Sequence, residues 1–136
     1  MIFDVNANSL AILTKLQELN ATFKTIDYSY NYISNIRDIK TLKTNNLPML
    51  LFGNYKVSFY GASNSNAFAT ADEYYYVFIV ANHDINKATT RYKMNDYWKL
   101  VISKLMEIDG IEMGDTTLMS DEIGFVVSAI QFIKKQ

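Results

Sequence analysis

The residues with chemical potential are few. His83 is the single histidine, within Asn82-His83-Asp84, and the chain has no cysteine. A zinc site therefore lacks its usual ligands, and a His-Asp pair is not a nucleophile system without a positioned Ser or Thr. Two readings are open for His83: a surface residue at a strand end, or, with Asp84 and the nearby tyrosines, part of a pocket. Asp109-Gly110-Ile111-Glu112-Met113-Gly114-Asp115 has the look of a calcium loop. In an EF-hand frame from Asp109, however, Ile111 and Met113 take the third and fifth positions and Ser120 the twelfth, so the oxygen ligands are missing. None of the five glycines forms a GxGxxG or GxxxxGK[ST] phosphate loop. No pair of carboxylates is nominated for acid and base work, and no catalytic motif is present in any stretch.

Charge offers a different possibility. Glu107 to Glu122 holds six acidic residues and no basic one, against five basic and one acidic from Lys87 to Lys104. These stretches read either as two solvated surfaces of opposite sign, or as complementary faces through which copies of the chain meet. In the second reading Lys87 and Arg91 of one copy face Glu112 and Asp115 of the next.

Composition sets the bounds. At 136 residues the chain suits one domain, residues 1–136, with a real core. A net charge of -1 supplies no global basic field for nucleic acid or an anionic membrane. The start, Met1-Ile2-Phe3-Asp4, lacks a signal-peptide pattern, and no apolar run approaches the roughly 20 residues that span a bilayer. The expectation is synthesis and residence in the cytoplasm, with neither nucleic acid nor membrane as partner. Ten tyrosines in a chain that is 14% aromatic give abundant contact area, of a kind enriched at interfaces and on half-wet sheets.

The elements that must position these residues centre on a strand and a helix. Asp72 to Asn82 (DEYYYVFIVAN) is dense in aromatic and β-branched residues on both parities, which reads as a central strand. The helix predicted from Asn86 to Asp109 carries Met94, Tyr97, Trp98, Val101, Ile102, Leu105 and Ile108 as one stripe, and Gly110 ends it. A first helix is expected from Asn8 or Ser9 to Leu19 or Asn20, with Leu10, Ile12, Leu13, Leu16 and Leu19 inward. Phe23 to Tyr28 alternates as a short strand, and Ser29 to Lys43 reads as a second helix on Tyr32, Ile33, Ile36, Ile39 and Leu42. Met49 to Phe52 is expected as a short strand closed by a Gly53-Asn54 turn, followed by a strand over Tyr55 to Tyr60. Gly114 and Asp115 read as turn residues before a short edge strand at Thr116 to Met119, and Ile123 to Lys134 as a last strand. The sum is an α+β fold: a mainly antiparallel sheet of about four to five strands with two to three helices packed against it.

Two features go beyond fold. Gly61 to Thr70 is small and polar around Phe68, longer than a tight hairpin. It reads as a surface loop or as a partner-binding arm anchored by Phe68, with Gly61, Ser63, Asn64 and Asn66 around it. The strands are also apolar on both faces, so something covers the second face: the chain's own elements or neighbouring subunits.

The order of these elements resembles the small tail-terminator or tail-completion proteins of tailed bacteriophages, including the Mu-like minor tail group. The resemblance is carried by an N-terminal helix, Leu47-Pro48-Met49-Leu50-Leu51 entering a strand, a long polar hairpin loop, Tyr76 to Asn82, the helix containing Arg91 to Leu105, Asp109-Gly110 and a terminal strand. It implies an α+β protein without catalytic residues, cofactor or metal, which is not an enzyme. It implies a homo-oligomeric ring, commonly a hexamer, that caps the tail tube, ends its assembly and presents a surface for head attachment. Its partners are then itself and the phage tail-tube and head-completion proteins. It would reside in the bacterial cytoplasm during assembly and in the virion, or a phage-tail-like particle, when mature. The interface residues nominated from the sequence are Gly61, Ser63, Asn64, Asn66, Phe68, Lys87, Arg91, Glu112 and Asp115. Two alternatives stay open: another phage structural part, either a head-tail connector or a tail-tube subunit, and a small-molecule-binding α+β domain.

Overall fold

A computed structural model describes residues 5–33, 47–60, 70–81, 88–122 and 125–135. Helix α1 spans Val5–Leu16 and runs on as a 3-10 turn over Gln17–Leu19. Strand β1 is Thr25–Tyr28, β2 Met49–Tyr60 and β3 Thr70–Ala81. Helix α2, Ala88–Leu105, leads to β4, Ile111–Glu122, and β5, Phe125–Lys134. The five strands form one sheet in the order β1-β2-β3-β5-β4. All neighbours are antiparallel except β1 and β2, which run parallel, so this α+β sheet is mixed.

Both helices lie on one face. Ile12, Leu13 and Leu16 of α1 and Met94, Tyr97, Val101 and Leu105 of α2 pack on Leu50, Phe52, Tyr75, Val77, Ile79, Val126, Ile130 and Phe132. Phe52, Tyr75 and Phe132, on three adjacent strands, stack with centroids 5.2 and 5.3 Å apart for the two successive pairs. Such near-parallel stacking adds to simple area burial. The predicted α2 stripe is the buried one: Met94, Tyr97, Val101 and Leu105 are buried, and Trp98, Ile102 and Ile108 pack at its margin. Gly110 takes φ +82°, the left-handed conformation that ends a helix at low cost only for glycine.

The other face carries its own cluster of Ile33, Leu47, Met49, Leu51, Phe78, Val80, Val127 and Ala129. Strand apolarity on both parities is thus satisfied, over this half of the sheet, within a single chain. Ile33 and Leu47, from outside the strands, contribute to it.

Several boundaries differ from the sequence reading. Gly53-Asn54 is not a turn: β2 runs through it, with a register shift between Asn54 and Lys56. The Asn54 side chain donates to the Lys56 and Tyr74 carbonyls, at 3.1 and 2.9 Å, bridging the bulge. Gly114-Asp115 is likewise a shift within one long β4, between Met113 and Thr116. In both cases the adjoining strand templates a continuous ladder across residues that favour turns in isolation. The first residues of the helix predicted over Ser29 to Lys43 form a 3-10 turn, Ser29–Asn31. Asp27 holds that turn by accepting from the Tyr28 backbone N–H and the Asn31 side chain, local bonds that compete with helix. The remainder of that prediction, 34–43, lies outside the described residues. Helix α1 starts earlier than predicted because Asn8 and Ser9 do not cap it but reach into the sheet.

Candidate functional site

On the helix face, Glu73 is a carboxylate with no exposed surface. Asn8 of α1 donates to it at 2.6 Å, and the Tyr75 hydroxyl donates to its other oxygen. Ser9 reaches the Tyr75 hydroxyl at 3.4 Å. Burial first, and the bond to Glu73 second, push the Tyr75 phenol far above its ordinary pKa of 10.0. The cluster ties α1 to β3 through the fully buried Glu73 and Tyr75. Sequence reading missed it; the signal is Glu73 standing at an inward parity between Ala71 and Tyr75. A second internal bond, from the Trp98 indole N–H to buried Ser128 at 2.5 Å, ties α2 to β5.

The open part of the molecule is on the opposite face. Alternation puts Tyr74, Tyr76 and Phe78 of β3 there, and Tyr55 joins them from the β2 bulge. Ring centroids are 6.1 Å apart for Tyr55 with both Tyr74 and Tyr76, and 4.5 Å for Tyr76 with Phe78. Lys56 places its ammonium 4.8 Å from the Tyr74 ring centre, a cation–π contact. Phe78 is buried beneath, whereas Tyr55 is 49% exposed. The terrace edges a hollow of about 280 Å³ whose far side is Thr117, Ala129 and Gln131.

Gly53 makes this terrace possible. Tyr76 lies across it, and a Cβ on Gly53 would meet the Tyr76 hydroxyl at 2.5 Å and its Cζ at 2.7 Å. The hydroxyl in turn shares a 2.6 Å hydrogen bond with Ser29 beyond the end of β1. Glycine therefore serves as a floor for a cross-strand aromatic ring.

The two ends of the sheet differ. β1 pairs only with Met49–Phe52, so the outer side of β2 from Gly53 to Ser58 has no strand partner among the described residues. A cleft of about 540 Å³ opens beside it, between Asn6 and Ser9 of α1, Tyr30, and Asn54. At the other end β4 is the outermost described strand, with Glu112, Asp115, Thr116, Thr117 and Leu118 exposed.

Of the interface residues nominated from sequence, Glu112 and Asp115 stand on this edge strand. Arg91 lies on α2, with its side chain outside the described set; Gly61, Ser63, Asn64, Asn66, Phe68 and Lys87 lie outside the described residues, as do His83 and Asp84. Charges where the two stretches meet are partly matched within the chain. Lys104 contacts Glu107 at 3.1 Å and Glu18 at 3.5 Å, and Lys135 contacts Glu112 at 2.7 Å. The Glu107 contact leads in holding the Lys104 ammonium above its ordinary pKa. Among the described residues no group of three or more His, Cys, Asp or Glu is placed to hold a metal. No described helix is long and apolar enough to cross a membrane. Comparison with protein-family models finds no match, and comparison with curated proteins finds none either.

Proposed function

We propose that this chain is a structural subunit that assembles with copies of itself, as a ring of the tail-terminator kind closing a phage tail or a phage-tail-like particle. The observation that carries the reading is the Tyr55, Tyr74 and Tyr76 terrace. Half of that sheet face is sealed within the chain, while the other half, among the described residues, leaves aromatic surface open beside strand edge with no strand partner. Tyrosine-rich apolar surface rimmed by polar residues is the signature of a protein contact, and long exposed edges are templates for further strands. In such an assembly the tail-tube and head-completion proteins would meet the two rims of the ring. The subunit would work by shape and contact, without catalysis, in the host cytoplasm and then in the particle.

Electron microscopy of the purified protein tests this directly. Closed rings of uniform size are expected. Open tubes would favour a tube subunit, and isolated particles of single-chain size would remove the ring reading. The hollow beside Tyr55 supports a second reading, a small-molecule site, which gains if the protein is monomeric at every concentration.

A further inference from the structure

We propose that copies join head to tail through the sheet edges: β4 of one chain pairs, antiparallel, with the overhanging β2 segment Gly53 to Ser58 of the next. This inference rests on the self-assembly reading and specifies its junction.

Strand direction comes first. β2, β3, β5 and β4 are each antiparallel to the next. Three reversals leave β4 opposed to β2, so a second copy placed in continuation of the sheet offers its β2 overhang to β4 in antiparallel sense. Each face of the sheet then continues into the same face of the neighbour.

Charge decides between this junction and a symmetric one. β4 holds Glu112, Asp115, Asp121 and Glu122 and no basic residue, whereas β2 holds Lys56 and no acidic one. Two β4 strands paired across a twofold axis would set like charges against each other, which opposes pairing. The β4-to-β2 junction sets acidic residues toward Lys56. Seating the whole overhang, Gly53 to Ser58, against 117–122 keeps β4 clear of the next copy's β1, puts Ser58 opposite Thr117 and brings the acidic end of β4, Asp121 and Glu122, alongside Lys56. The junction also reaches the margin of the terrace, since Tyr55 stands in the same overhang. A contact between two different patches closes into a ring or runs on as a filament, whereas a twofold contact stops at a dimer.

The natural chain has no cysteine, so introduced thiols report the junction cleanly. Ser58→Cys and Thr117→Cys variants are each purified, checked for unchanged melting, and treated with a short bis-maleimide, separately and mixed. Each solution's mass is read by light scattering. The expected result is cross-linked dimer in the mixture and little in either variant alone, with a ladder of higher species from the doubly substituted chain. Lys56→Glu should reduce the mixed product severalfold, as should raised salt.

Cross-linking of Thr117→Cys with itself at the level of the mixture would overturn the proposal in favour of a twofold β4 contact. A large mass without mixed product would overturn the junction while leaving self-assembly standing. A mass of one chain throughout, with no product, would remove both.

Discussion

The two faces of the sheet use similar residues to opposite ends. On the helix face, Phe52, Tyr75 and Phe132 stack beneath α1 and α2, and even the buried Glu73 carboxylate is tied to Asn8 and Tyr75. On the other face, Tyr55, Tyr74 and Tyr76 form a comparable aromatic group with no helix above it among the described residues. The first group stabilises the fold by burial. The second is held in place by Gly53 and Ser29 and leaves its surface available. Aromatic content alone therefore does not separate core from contact surface; the cover does.

The contrast can be broken at its strongest point. Phe132→Ala removes a buried ring from the stack and should cost about 3–5 kcal/mol in urea unfolding. If it costs under about 1 kcal/mol, the helix face is not the closed core described here. Next, Tyr75→Phe removes a donor to buried Glu73 and should cost about 1–3 kcal/mol. The same substitution probes pH. Tyr75 keeps its proton in the folded state well above pH 10, while the unfolded chain releases it near its ordinary pKa of 10.0. This contribution is fully present below pH 10 and is lost as pH rises through the higher folded pKa, so stability falls in strong alkali. Tyr75→Phe should flatten that decline, leaving the smaller share of Tyr28 and Tyr97, whose phenols burial also pushes up. An unchanged slope would show that Tyr75 is not the group responsible.

Gly53→Ala addresses the terrace and should cost about 1–3 kcal/mol, since the Tyr76 ring must leave its seat or strain against the new methyl. In a Tyr76→Ala background the cost should largely disappear, a coupling readable by a double-mutant cycle. Equal costs in both backgrounds would mean the ring does not rest on Gly53. The smallest effect on folding is expected at Tyr55→Ser, within about 0.5 kcal/mol.

Much of this architecture was legible in the chain. The α2 stripe, the Gly110 stop and the dense β3 run all carry local signals that agree with their tertiary setting. What escaped reading was settled by neighbours. Gly53-Asn54 and Gly114-Asp115 have turn chemistry, yet β3 and β5 draw them into continuous strands with bulges. Ser29 would suit a helix start, but its hydroxyl is engaged by Tyr76, 47 residues away in sequence. The parallel pairing of β1 is invisible in a four-residue run. As for the site, Glu112 and Asp115, which sequence reading set ahead of a short edge strand, stand exposed within the long β4, whereas the terrace depends on a bulge at Tyr55 that no periodicity announces. The doubly apolar strands pointed to a covered second face, and the cluster around Leu51 and Val80 shows that half of that cover comes from within.

The most direct test of the central claim, that the uncovered half is a contact between copies, is solution mass against concentration for the natural chain beside Tyr55→Ser. The account predicts that the natural chain rises from the 15.6 kDa of a single chain to a fixed multiple, while the variant, equally stable, stays small at the same concentrations. A natural chain that remains at single-chain mass across the range, or a variant that assembles as readily, would contradict it.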